Sequence, residues 1–181
     1  MGYAKILPII VTVVLAVSGC MVIESLDQPY EAEAGKSFKT TLVARTPEAG
    51  EDEEETFAHG VLGVSVPPGW EIESLKTIDG EIKPEWVKIP PGGVTTEVTY
   101  GGDGGYPWTF FRTDERYSTI EHANKAFTAE VKIKPSSAGY YELGYVSGAA
   151  EGTDASGKYS PDWGYNEVNG GQVIFKRIWV K

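Results

Sequence analysis

Phe127-Thr128-Ala129-Glu130-Val131-Lys132-Ile133-Lys134 alternates apolar and polar side chains without a break. A period of two puts Phe127, Ala129, Val131 and Ile133 on one face and the charged partners on the other, which predicts a half-buried β-strand. The same alternation recurs upstream, where Phe38, Thr40, Leu42 and Ala44 share one parity and Lys39, Thr41 and Arg45 the other. Downstream, Tyr141, Leu143 and Tyr145 follow a turn at Pro135-Ser136-Ser137, and Gln172 to Val180 reads as a terminal strand. Val61 to Val66 is a β-branched run stopped by Pro67-Pro68-Gly69, and Trp70 and Ile72 continue on one parity toward a turn at Asp79-Gly80. Trp86 to Ile89 and Val94 to Tyr100 are further short strands, while residues 114–125 are polar enough for one helical turn. No stretch sustains a helical period. Eight or nine short strands between turn clusters predict an all-β chain, an antiparallel sandwich.

The chain has 181 residues, with 22 Gly and 11 Pro, 41% apolar and 12% aromatic residues. That is one domain with enough apolar content for a packed core, and the Gly and Pro supply its turns. The formal net charge is −10, and Lys5 is the sole charge among the first nineteen residues. A phosphate-binding surface needs clustered Lys and Arg, so the composition argues against a nucleic-acid partner. With one cysteine, Cys20, neither an internal disulfide nor a cysteine zinc cluster can form. His59 and His122 are the two histidines and have no metal-ligand spacing. The acidic run from Thr46 to Thr56 reads as a solvated loop.

The N-terminus carries an address. Lys5, an apolar run from Ile6 to Val17, and then Ser18-Gly19 have the layout of a secretory signal peptide over residues 1–19. Val17-Ser18-Gly19-Cys20 resembles the lipobox of bacterial lipoproteins, with Val17 where that family usually has Leu. The resemblance implies acylation of Cys20, a tether over residues 20–24, and a domain over 25–181 facing outside the cytoplasm in the cell envelope. The absence of Asp after the cysteine favours the outer membrane where a cell has two. The alternative is an uncleaved membrane helix, since Ile6 to Ile23 is uncharged and 18 residues long.

Two further segments resemble the immunoglobulin-like sandwich family. Gly35-x-x-Phe38-x-Thr40-x-Leu42 is similar to its strand B, and Gly139-x-Tyr141-x-Leu143 to its strand F. The resemblance implies that Tyr141 is a tyrosine corner and that Leu42 and Leu143 replace the inter-sheet cysteines. It also makes Ser147 to Gly171 an end loop of the kind that carries binding surfaces. No tryptophan falls in Val61 to Val66, where the family has one.

Aromatic residues near glycine-rich loops are the candidate ligand-binding set: Trp108 after one loop, and Tyr159, Trp163 and Tyr165 within another. Rings on loop ends can stack on sugars, peptides or partner surfaces, or cap the core. Phe110 and Phe111 fit the core better, having no polar handle. Asp154 and Asp162, with Ser156, Asn166 and Asp103, offer oxygen ligands for a structural calcium ion, although Asx-turn chemistry accounts for the same pattern. No catalytic motif is present: Gly144-Tyr145-Val146-Ser147-Gly148 sets its serine one place late for a nucleophile elbow. The sequence therefore predicts a membrane-anchored, non-catalytic surface module binding glycan or protein through end loops. A structural or assembly subunit pairing through the edge Val173–Val180 is the alternative, and a small β-sandwich hydrolase a third.

Overall fold

The computed structural model describes residues 21–46, 55–95 and 105–181. Twelve strands occur among them: β1 (Val22–Asp27), β2 (Glu31–Ala32), β3 (Phe38–Arg45), β4 (Phe57–Ser65), β5 (Glu71–Gly80), β6 (Trp86–Lys88), β7 (Trp108–Thr113), β8 (Tyr117–Ser118), β9 (Ala126–Lys134), β10 (Gly139–Ala150), β11 (Asp162–Trp163) and β12 (Val173–Val180). The first sheet has the order β1-β3-β9-β5; the second runs β2-β12-β10-β4-β7-β6, with β11 beside β10 and β8 beside β4. Every pairing of named strands is antiparallel except β12 with β2.

The alternation read from the sequence decides which faces meet. Phe127, Ala129, Val131 and Ile133 of β9 are buried and stand in register with Ala44, Leu42, Thr40 and Phe38 of β3. Facing them, Leu62 and Val64 of β4, Phe111 of β7, Leu143 and Tyr145 of β10, and Ile174 and Ile178 of β12 close the core. The architecture is an immunoglobulin-like β-sandwich. Its first sheet has the A-B-E-D strand order of that family, with β3 as B and β10 as F. Leu42 and Leu143 lie fully buried on opposing sheets in one cluster. The Tyr141 hydroxyl donates to the Ala138 carbonyl at 3.0 Å, closing the tyrosine corner. The core tryptophan is Trp70, which comes from the turn before β5 and meets the Tyr141 ring at 4.9 Å.

Several boundaries differ from the sequence reading. Met21, Val22 and Ile23 are buried, and Ile23 opposes Ala44, so the stretch read as tether over 20–24 already belongs to the sandwich from Met21 on. β10 continues to Ala150 and turns Ser147–Ala150 from expected loop into strand. Residues 114–125 hold β8 and, after it, a single turn in which the His122 N–H donates to the Ser118 carbonyl at 3.2 Å. Cys20, the signal segment, the acidic residues 47–54 and the expected strand beyond Thr95, with Asp103, lie outside the described residues.

Candidate binding face

Because β4, β7, β10 and β12 turn alternate side chains into the core, the other parity forms an outer face on the second sheet. Register fixes its layout. Tyr140 opposes Trp179, Glu142 opposes Arg177, Gly144 opposes Phe175, and Val146 opposes Val173. On the other side Gly63 opposes Phe110, and Ser65 opposes Trp108. This face carries a row of rings.

Glycine makes room for that row. A Cβ on Gly63 would sit 2.7 Å from Phe110 Cε1 and 2.6 Å from Val146 Cγ1; one on Gly144 would sit 2.9 Å from the Trp108 ring, and one on Gly148 2.9 Å from the Trp163 ring. Three side-chain-free positions thus let the rings lie close to the sheet. Trp108 stacks on Phe110 with centroids 6.1 Å apart and planes 14° from parallel, and Trp163 meets Phe110 at 5.5 Å. Two short segments cover this group. Gly93 and Thr95 bond the backbone of Tyr159, and Ile89, Val94, Val61 and Ala150 form a small apolar cluster with Phe110, Tyr159 and Trp163 packed against it. Tyr159 also receives the edge of His59 at 5.8 Å and the Arg112 guanidinium at 5.8 Å.

Of the four predicted ligand-binding residues, Trp108, Tyr159 and Trp163 are brought together, half-buried, on the sheet face. Tyr165 is 66% exposed and belongs to neither packed group on this face. The loop-end platform expected from the sequence is therefore a layer on the sheet. Its inner rings behave as a second small core. Phe111 points into the main core, as its lack of a polar handle predicted, while Phe110 faces outward into this layer.

The exposed part of the face was not in the predicted set. Tyr140 is 80% exposed, Trp179 38% and Phe175 36%. Tyr140 and Trp179 stack nearly parallel, 5.7 Å apart at 9°. Lys181 places its ammonium 4.7 Å from the centre of the Trp179 ring, and Arg177 pairs with Glu142 at 3.1 Å. The available signal was the outward parity of β12, where Val173, Phe175 and Trp179 leave only Arg177 polar.

The oxygen-rich loop closes on itself. Asp154 Oδ1 accepts the Ser156 N–H at 2.8 Å, the Ser156 hydroxyl at 2.6 Å and the Lys158 N–H at 3.0 Å. The Ser156 hydroxyl, followed by the Lys158 amide, holds the Asp154 carboxyl below the usual range. Asp162 opens β11 opposite Ala149. Among the described residues, no three His, Cys, Asp or Glu side chains gather in a metal-binding group.

No family model matches this chain, and no curated protein sequence does. Among solved structures it is similar to the cohesin module of a family 33 glycoside hydrolase from Clostridium perfringens, at 11% identity and TM-score 0.43, covering 90% of this chain and 96% of that one. It is also similar to the major pilin SpaD of Corynebacterium diphtheriae, at 8% identity and TM-score 0.48, covering 86% of this chain and 34% of the pilin. An immunoglobulin-like protein from Nocardia farcinica matches at 15% identity and TM-score 0.30, over 78% of this chain and 96% of that one. These are likenesses of chain path.

Proposed function

We propose that the chain is a non-catalytic binding module, anchored to the outer side of a cell envelope by acylated Cys20. Its ligand surface is the outer face of the second sheet. The observation that carries this reading is the placement of Phe175, Tyr140 and Trp179, three large exposed side chains of one parity, on the same sheet face as the packed row of Trp108, Phe110 and Trp163. Large exposed rings on one sheet face, here flanking the Arg177–Glu142 pair, mark an interaction site. Preorganised rings lose little conformational entropy on binding. The reading moves the site from the end loops to the sheet.

Pairing through an open β12 edge has less room. β2 covers Trp179 and Val180, and the Arg177 carbonyl accepts a hydrogen bond from Gln28 Nε2. The test uses the chain from residue 20 with Cys20→Ser, fluorescently labelled and added to envelope fragments of the source cell. Saturable capture that falls at least tenfold in Tyr140→Ala/Trp179→Ala, with the melting profile preserved, is the expected result. Equal capture of both forms would move the site off this face. Mass spectrometry of the membrane-extracted protein checks the anchor: acyl mass on an N-terminal Cys20 is expected, and an intact Met1 would refute it.

A further inference from the structure

We infer that the ligand of this face is an uncharged glycan, received at the corner where Tyr140 and Trp179 run into a polar hollow beside Lys181. The inference rests on the binding-module reading above and names its ligand class. Register places Tyr140, Trp179 and Glu31 side by side across β10, β12 and β2. The backbone just before β2 is fixed to the same strand, the Tyr30 carbonyl accepting the Trp179 N–H. Next to it lies a concavity of about 380 Å³, lined by Glu31, Glu33, Lys36, Ser37 and Lys181 with Phe38 among its walls. That volume lies within the roughly 300–1,000 Å³ of small-ligand sites.

The charges select the ligand. Lys36 pairs with Glu33 at 2.6 Å, and Lys181 pairs with Glu31. The side chains that line the hollow are thus two ammonium groups and two carboxylates, balanced in charge. A polyanion would also approach a molecule of net charge −10. Sugar hydroxyls both donate and accept, so they can bridge a carboxylate and an ammonium while both ion pairs stay intact. The remaining requirement is a surface for the apolar C–H face of a pyranose, which the exposed Tyr140 ring supplies. The Tyr140–Trp179 stack, with Lys181 over Trp179, is already ordered for that contact. A protein partner would use the same Tyr and Trp chemistry but has no need of a charge-balanced hollow.

Envelope fragments are divided into untreated, periodate-oxidised and protease-digested portions, and the labelled Cys20→Ser chain is added to each. The expected result is capture that survives protease, falls at least tenfold after periodate, and is competed by neutral polysaccharides such as dextran, mannan or laminarin more than by alginate. Tyr140→Ala and Lys36→Ala should each weaken capture at least tenfold, and Tyr165→Ala should leave it unchanged. Capture destroyed by protease and indifferent to periodate would overturn the glycan and leave the binding module standing with a protein partner. Competition by alginate alone would overturn the uncharged class. Absence of capture from untreated fragments would overturn the module reading and this inference with it.

Discussion

Trp163, at the end of β11, and Tyr165 stand two residues apart, yet burial separates their contributions. Trp163 lies against Phe110 and over Gly148, sharing the small cluster with Val61 and Ala150. Trp163→Ala is expected to lower unfolding free energy by about 2–4 kcal/mol, toward the lower side of a buried Trp truncation because the ring is half-buried. Tyr165→Ala should change it by less than about 0.5 kcal/mol. Urea unfolding of both variants checks the pair, and equal small effects would show that the packed layer contributes nothing to stability. Composition could not tell these two rings apart. Both sit amid Gly, Asp and Asn, and what distinguishes them is Gly148, which is adjacent to Trp163 only after β10 and β11 pair.

At the scale of the strand, legibility follows how much the side chains themselves report burial. β3 and β9 were readable because each has one fully apolar face and one polar face. The last third of β10 was not, since Ser147-Gly148-Ala149-Ala150 has the composition of a loop. Those small residues are strand because Trp163 and the turn around Tyr159 lie close over them. Residues 21–34 read as a tether running into a first edge strand, which β1 is, but its start was obscured because Met21-Val22-Ile23 continues the uncharged stretch that begins at Ile6. β4 also carries a pH-sensitive joint. Its His59 donates from Nδ1 to the Thr113 carbonyl of β7 at 2.9 Å, and burial, assisted by Arg112, holds its pKa below the ordinary 6.5. The folded protein therefore keeps this imidazole neutral where the unfolded chain takes up a proton. Stability contributed by His59 is fully present above about pH 6.5 and is lost as pH falls through that value toward the lower folded pKa. Denaturant midpoints at pH 8 and pH 5.5 should differ more for the parent than for His59→Gln. An identical drop in both would remove His59 from the acid response.

Across the whole molecule, the two sheets are joined by apolar contact and by buried polar links, among them Ser147 Oγ to the Met21 carbonyl at 2.8 Å and a thread through Tyr145. The Tyr145 hydroxyl of the second sheet donates to Gln28 Oε1 at 2.7 Å and accepts from Thr40 Oγ1 of the first sheet at 3.1 Å, while Gln28 Nε2 reaches the Arg177 carbonyl at 3.3 Å. The sequence showed Tyr145 as an inward strand residue, but its partners lie 105 and 117 positions away. A link that long is invisible until the sheets face each other. Burial drives the Tyr145 phenol far above its ordinary pKa, so it remains a donor throughout the accessible pH range. Tyr145→Phe preserves the ring's packing and strips both hydrogen bonds, leaving the Gln28 oxygen without its donor. The expected cost is about 1–3 kcal/mol, the penalty for an abandoned buried polar group. Thr40→Val on its own should cost less, because Tyr145 still donates to Gln28. Since the two substitutions cut one thread, the double variant should fall short of their sum by about 0.5 kcal/mol or more. A double-mutant cycle in urea tests this: strict additivity would mean that Thr40 and Tyr145 stabilise their own sheets separately and that this hydrogen bond does not help to hold the sandwich closed.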